Sequence, residues 1–364
     1  MEYRINKKTG DKISVIGLGT SYISETAEKD AIEALLLAHD NGINYADLAT
    51  AGSKTFGYYG KAFAQCRQDM YYQVHFGANY ETGEYGWTTN LNKIKSQIDW
   101  MLHELNTDYI DYGFIHCLDG AFDWQEYEKN GVLGYLTEMK EQGVVRHIGL
   151  STHTPELAHM IIDTGIVEQL MFSMNPSYDY SRGEFANGSA NERMQLYRRC
   201  ETEGIGISVM KPFSGGQLLD EKSSPFGKAL TKYQCIQYAL DKPGVLTVLP
   251  GIRNAEDVKQ LLAFFESEPE EKDYGMIGTF TPLEAVGVCV YCNHCHPCPV
   301  GLNIGLINKY YDLTMAGDVM AADHYEKLEK HAADCVGCGH CDNRCPFKVK
   351  QSKRMETIAE YFGK

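Results

Sequence analysis

The stretch LNKIKSQIDWMLHELNTDYIDYGFIH, residues 91–116, carries two periodicities in succession. Ile94, Ile98, Met101, Leu102 and Leu105 recur at helical spacing, an apolar stripe on one face. YIDYGFIH (109–116) follows as a short strand-like run. Seven further runs of this kind are VIGLG (15–19), INYAD (43–47), MYYQVHF (70–76), VRHIGLS (145–151), EQLMFS (168–173), IGISVM (205–210) and LTVLP (246–250). Helical patterns lie between them, as with Ile32, Leu35 and Leu36. Strands alternating with helices predict parallel βα units. Eight such units in about 265 residues match the usual size of a (β/α)8 TIM barrel. The competing doubly wound sheet is marked by Gly-x-Gly-x-x-Gly. Here Gly17-Leu18-Gly19 is followed by Thr20, Ser21 and Tyr22, so the third glycine is missing. Residues 2–16 read as an N-terminal β-hairpin, EYRIN and KISVI joined through KKTGD.

The chain has 364 residues and a formal net charge of −15, from 34 basic and 49 acidic side chains. That length predicts two domains, or one large domain with an appendage. An acidic chain grips a phosphate backbone poorly, which sets nucleic acid and anionic membranes aside as partners. No apolar stretch approaches the ~18 residues of a membrane span. The opening MEYRINKKTG lacks the apolar core of a secretory signal, so a cytoplasmic location is expected. ESEPEEKDYG (266–275) is acidic, contains proline and lacks periodicity. It reads as a linker between a barrel over residues 1–270 and a second domain over 276–364. The second domain shows three helical stretches, near 303–315, 320–331 and 352–362.

Of 12 cysteines, only Cys66, Cys117, Cys200 and Cys235 precede residue 289. The others form two runs, Cys289-x2-Cys292-x2-Cys295-x2-Cys298-Pro299 and Cys335-x2-Cys338-x2-Cys341-x3-Cys345-Pro346. A disulfide scaffold would spread its cysteines through a short secreted fold, whereas these suit a metal-bearing module on a cytosolic domain. Three cysteines at i, i+3 and i+6 wrap one face of a [4Fe–4S] cube, and a fourth before proline reaches the other cube. Cys289, Cys292, Cys295 and Cys345 are therefore assigned to one cluster, and Cys335, Cys338, Cys341 and Cys298 to the other. The first run departs from the bacterial ferredoxin spacing by one residue. Zinc is the alternative, but it needs only four ligands per site from paired knuckles. His294 and His296 read as spacers. The four remaining cysteines read as buried apolar residues.

The hairpin, GLGT (17–20), NYAD (44–47), YIDYGFIH (109–116), RHIGLSTH (146–153), MKPFSGG (210–216) and LPG (249–251) resemble the aldo-keto reductase superfamily. The chain is similar to the subgroup with a C-terminal ferredoxin-type domain carrying two [4Fe–4S] clusters. The resemblance implies an NADPH-dependent carbonyl reductase with an Asp, Tyr, Lys and His tetrad at the barrel mouth. Position by position, the aspartate matches Asp47 and the histidine His116. The tyrosine position is Gly52, with Gly60-Lys61-Ala62 keeping the register, and the lysine position is His75. Tyr22, Tyr58 and Tyr59 are nearby phenols, read as packing aromatics. For the nicotinamide cofactor the resemblance points to Ser151 and Asn175. Ser214-Gly215-Gly216, and Gly251 with Arg253, present backbone N–H groups suited to phosphates. Asp257 stands where the family has an arginine for the 2′-phosphate, followed by Gln260 and Leu261, so NAD(P)H is expected to bind weakly. Met210 replaces the usual stacking aromatic.

Asp47, His75 and His116 are thus the candidate catalytic residues, at the ends of three adjacent strands. They suit acid–base work, with Asp47 orienting His75, or a 2-His-1-carboxylate site for Fe(II) or another divalent metal. His153 and Lys211 read as further donors, and Cys117 as packing. The expected function is an anaerobic iron–sulfur oxidoreductase acting on a small carbonyl- or hydroxyl-bearing molecule. Electrons would be relayed through the clusters, with ferredoxin or flavodoxin as the kind of carrier protein involved. The alternatives are a conventional NADPH carbonyl reductase with structural clusters, a redox-neutral lyase, dehydratase or isomerase, and an electron carrier without turnover.

Overall fold

A computed structural model of the protein describes residues 1–180, 182–280 and 286–364. Strands β1 (Tyr3–Ile5) and β2 (Lys12–Ser14) pair antiparallel as the N-terminal hairpin. Eight strands then alternate with helices along the chain. They are β3 (Leu18–Gly19), β4 (Tyr45–Asp47), β5 (Tyr71–Phe76), β8 (Ile110–Ile115), β9 (Val145–Thr152), β10 (Gln169–Ser173), β11 (Gly206–Met210) and β12 (Val245–Val248). Between β5 and β8 the chain adds a small antiparallel hairpin, β6 (Ala78–Asn79) with β7 (Gly86–Trp87). The eight strands form one parallel sheet in chain order, and the bridges Ile16 to Val248 and Gly19 to Gly251 bring its two edges together. This is the expected (β/α)8 barrel.

Contacts divide the chain into two compact units. The first comprises Met1–Ser173, Ile205–Pro212 and Leu246–Glu266, and it holds the sheet apart from Val245. Its interior is filled by Ile13, Tyr45, Tyr112, Phe114, Met171, Leu246 and Leu249. Strand periodicity decides which side chains point inward. In β5, Tyr72 packs edge-on against Tyr59 of the helix Lys54–Ala62, whereas Gln73 and His75 turn to the other face. Gly149 packs directly on Phe114: a Cβ there would stand 2.3 Å from the ring.

The second unit comprises Met174–Gly204, Phe213–Val245 and Ser267–Lys364. Its helices include Ala190–Glu203, Lys232–Leu240, Ile304–Met315, Val319–Glu326 and Gln351–Phe362. The last three fall on the helical stretches read from the sequence. Within 266–275 the chain forms a short helix, Pro269–Lys272, and buries Tyr274, whose Oη donates to Asp241 at 2.8 Å. Asp179 is the polar centre of this unit: Arg193 Nε (2.8 Å), Tyr197 Oη (2.6 Å) and Tyr238 Oη (2.7 Å) all donate to it, and all four residues are buried. Among the described residues, no helix is long and apolar enough to cross a membrane.

Candidate functional site

Asp47 ends β4, His75 lies one residue from the end of β5, and His116 follows β8 directly. Register places β4, β5 and β8 side by side, so the three side chains meet at the C-terminal end of the sheet. They are joined in a row. His75 Nε2 lies 2.8 Å from Asp47 Oδ1, and His75 Nδ1 lies 2.9 Å from His116 Nδ1. All three are buried. Gln73 Nε2 (3.1 Å) and the Ala49 N–H (3.1 Å) also donate to Asp47 Oδ1. Gln73 is itself anchored, since Tyr45 Oη (2.7 Å) and Ser208 Oγ (3.0 Å) donate to its Oε1. An ionised carboxylate only accepts, so His75 is assigned the Nε2–H tautomer from its partners. His75 Nδ1 is then free to exchange a hydrogen bond with His116. Burial holds the His116 imidazole well below the ordinary histidine pKa, with His75 and His153 adding to the effect.

The row continues past the residues that the sequence singled out. His116 Nε2 lies 2.8 Å from Oη of Tyr85, which comes from the β6–β7 hairpin. That hairpin is docked by backbone: Tyr85 N–H donates to Ala51 O (3.0 Å), and Ser53 N–H donates to Gly83 O (2.9 Å). Gly52 pairs with Glu84 across the same junction. A Cβ at Gly52, the position that carries the family's tyrosine, would press on Ser24 at 3.1 Å. Trp87 Nε1 donates to His116 O at 3.3 Å. Tyr85 was missed because ETGEYGW has neither strand nor helix periodicity; only the pairing partner of His116 reveals it.

The linear order disfavours the facial metal triad. The two nitrogens of His75 face opposite neighbours, so no single point receives a donor from all three residues. The other phenols are engaged elsewhere. Tyr58 Oη donates to Thr26 O (3.2 Å), Tyr59 is buried in the aromatic packing, and Tyr22 lies under Arg253 with 5.0 Å between guanidinium carbon and ring centroid. His153 is committed to Asp119, with Nδ1 at 2.9 Å from Oδ2. Cys117 is half-buried beside this pair, its sulfur within 4.8 Å of their donor atoms, so it is not one of the fully buried cysteines the sequence led one to expect. Cys66 is also only half-buried, whereas Cys200 and Cys235 are buried as expected. Lys211 takes a left-handed backbone, φ 55°.

The cofactor candidates divide between the units. In the first unit Ser151 is buried, and Gly251 packs under Tyr22. Arg253 N–H donates to Asp257 Oδ2 (3.0 Å), so this helix terminus carries its own anion. In the second unit Asn175 caps the helix Pro176–Asp179, its Oδ1 accepting from Ser177 N–H (2.9 Å) and Tyr178 N–H (3.0 Å). Ser214, Gly215 and Gly216 adopt left-handed φ of 52°, 65° and 94°, and the two glycines have open space where a Cβ would stand.

The eight cysteines of the two runs fall into two groups. Cys298, Cys335, Cys338 and Cys341 line one pocket. Its other walls include Val300, Leu302, Ile304, Val336 and Met355; of these Leu302, Ile304 and Met355 are buried and Val336 is exposed. Cys289, Cys292, Cys295 and Cys345 form the second group. Burial pushes the Cys292 thiol up to about 12, and Cys289 and Cys345 contribute to the rise. Cys295 moves the same way, through burial first and then Cys289, Cys292 and Cys345. Each group thus offers four sulfurs, which fits a [4Fe–4S] cube; in the first Cys341 is buried and Cys338 exposed, and in the second Cys295 is buried and the others half-buried. Gln351 Nε2 donates toward Cys289 Sγ at 3.5 Å. His294 is taken by Asp273 (2.8 Å) rather than pointing among the sulfurs as a donor.

Comparison with known proteins agrees with this architecture. The Aldo/keto reductase family model matches residues 15–233, and a 4Fe-4S dicluster domain model matches residues 285–349. The chain belongs to the aldo/keto reductase family and is an oxidoreductase of that type bearing a 4Fe-4S dicluster domain. It is 30% identical over 289 residues to an aldo-keto reductase of Mycobacterium sp. (strain JLS), covering 76% of this chain and 93% of the relative. It is 23% identical over 299 residues to L-galactose dehydrogenase of Arabidopsis thaliana, covering 72% of this chain and 88% of the relative. The holo form of aldo-keto reductase AKR11C1 from Bacillus halodurans shares the fold, with TM-score 0.62, 22% identity, and coverage of 78% of this chain and 97% of that one.

Proposed function

We propose that this oxidoreductase interconverts a carbonyl and an alcohol on a small substrate at the barrel mouth, with Asp47, His75 and His116 moving the proton. The observation that carries the reading is the unbroken hydrogen-bonded row from Asp47 through both imidazoles. Asp47 fixes the tautomer of His75 and balances its positive charge when it holds a second proton. His116, kept neutral by burial, passes a proton between its two nitrogens and leaves no charge behind. Cys289, Cys292, Cys295 and Cys345 hold one [4Fe–4S] cluster, and Cys335, Cys338, Cys341 and Cys298 hold the other. When bound, reduced nicotinamide supplies a hydride and the clusters supply single electrons, exchanged with a carrier such as ferredoxin or flavodoxin. The reading is of an enzyme that works without oxygen.

The test is turnover by anaerobically purified enzyme of a panel of aldehydes, ketones and sugars, with NADH, NADPH or artificial one-electron donors. The panel includes L-galactose, for which one relative is named. His75→Ala and His116→Ala should each lose ~10²–10⁴-fold in kcat while cluster absorption is unchanged. Both variants turning over at the wild-type rate would sink the reading. Product formed with no electrons consumed would replace it with the redox-neutral lyase, dehydratase or isomerase.

A further inference from the structure

We propose that Tyr85 is the proton-donating acid of this site, loaded through His116 and His75. The inference rests on the carbonyl–alcohol reading above and supplies the group that reading lacks, since Gly52 has no acid to offer. The Tyr85 oxygen is the last member of the row and lies on His116 Nε2 at 2.8 Å. Its ring stands edge-on to the His116 imidazole, with centroids 5.8 Å apart. Unlike Asp47, His75 and His116, Tyr85 is exposed, at 42% of its surface, so the row runs from a buried carboxylate to a phenol in contact with solvent. The backbone bonds from Ala51 and Ser53 to the hairpin hold it there.

The row has two proton states. In the empty state every hydrogen points inward: Tyr85 O–H to His116 Nε2, His116 Nδ1–H to His75 Nδ1, and His75 Nε2–H to Asp47. One added proton reverses the outer bonds. His75 then carries hydrogen on both nitrogens against Asp47, His116 carries it on Nε2, and the Tyr85 hydroxyl is released toward the mouth. Reduction then balances. A hydride from reduced nicotinamide forms the new C–H bond and breaks the carbonyl π bond. The substrate oxygen takes the Tyr85 proton, Tyr85 takes the His116 Nε2 proton, and His116 Nδ1 takes the His75 Nδ1 proton. The relay returns to its empty state with one proton given up. Burial raises the pKa of the phenol, so it keeps its proton until substrate takes it, and refilling from His116 spares it a lasting negative charge.

The experiment uses Tyr85→Phe in the full cluster-bearing chain, with 4-nitrobenzaldehyde and NADH or NADPH as the probe, alongside ¹⁵N-histidine NMR. Tyr85→Phe should lose ~10²–10⁴-fold in kcat with little change in KM. Iron content should stay the same, and the His116 Nε2 resonance should shift as its partner disappears. An unshifted His116 resonance means that the bond does not exist and overturns the proposal. Wild-type kcat in Tyr85→Phe, with His75→Ala and His116→Ala inactive, overturns Tyr85 but leaves the proton relay standing. Wild-type kcat in all three overturns the functional reading as well. A loss confined to KM makes Tyr85 a binding group and also overturns its role as the acid.

Discussion

Asp257→Arg should strengthen NADPH binding about tenfold and leave NADH unchanged. In the structure the Asp257 carboxylate accepts the Arg253 N–H at 3.0 Å, and its own N–H is capped by Asn254 Oδ1 at 3.0 Å. A helix N-terminus that would suit a phosphate therefore already carries a negative charge. Arginine removes that charge and adds a donor. A hydrogen bond to a charged group contributes about 1.5–3 kcal/mol. Asp257 is half-buried and Arg253 exposed, so solvent screening favours the lower figure, about 1.5 kcal/mol, or a factor of about ten in Kd. NADH has no 2′-phosphate to report the change. Calorimetric titration at about 0.1 M and about 1 M salt separates charge from shape, because the screening length falls from about 10 Å to about 3 Å. The gain should shrink at high salt. Tight NADPH binding by the unaltered protein, far above that of NADH, would refute the reasoning, as would an equal gain for both nucleotides.

Anaerobic metal analysis should find about eight iron and eight sulfide per chain, from two four-iron cubes. Cys298→Ser should damage the cluster held with Cys335, Cys338 and Cys341, whereas Cys345→Ser should damage the one held with Cys289, Cys292 and Cys295; each variant damaging its own sequence run would refute the crossover. Asp179→Ala should cost about 3–5 kcal/mol in chemical denaturation, because the buried Arg193 guanidinium loses its carboxylate. Asp179→Asn should cost less, since it keeps an acceptor. For His116 the native pKa is depressed. As pH falls below about 6.5 the unfolded chain binds a proton that the native imidazole refuses, so stability drops until the native group also titrates. Melting temperatures between about pH 7 and pH 5 should fall less steeply in His116→Gln, and parallel curves would count against it.

The barrel was legible because its signal is repeated and apolar. YIDYGFIH at 109–116 contains β8, Ile110–Ile115, and the preceding stripe contains the helix Leu91–Glu104. Asp47, His75 and His116 were legible as positions, since strand ends in such a barrel converge. Their order as a row was not, because hydrogen-bond direction depends on side-chain rotation that spacing does not encode. Tyr85 was invisible for a different reason: two-residue strands bury too little to leave a pattern. Asn175 reads equally well as a cofactor ligand or a helix cap, and its Oδ1 is spent on Ser177 and Tyr178. One division between the two units, after Glu266, falls in the linker-like stretch 266–275, whereas those after Ser173, Gly204, Pro212 and Val245 carry no compositional mark.

The bridge between Gly52 and Glu84 ties the family's tyrosine position to the hairpin that carries Tyr85. A side chain at 52 would press on Ser24 at 3.1 Å, and Tyr85 is seated by the hairpin itself. Gly52→Tyr alone would press on Ser24, which would have to give by a few tenths of an ångström. Transfer of catalytic residues by alignment column fails at such a site even when the fold is matched. Relatives should therefore be sorted by whether they possess the hairpin before any column is compared.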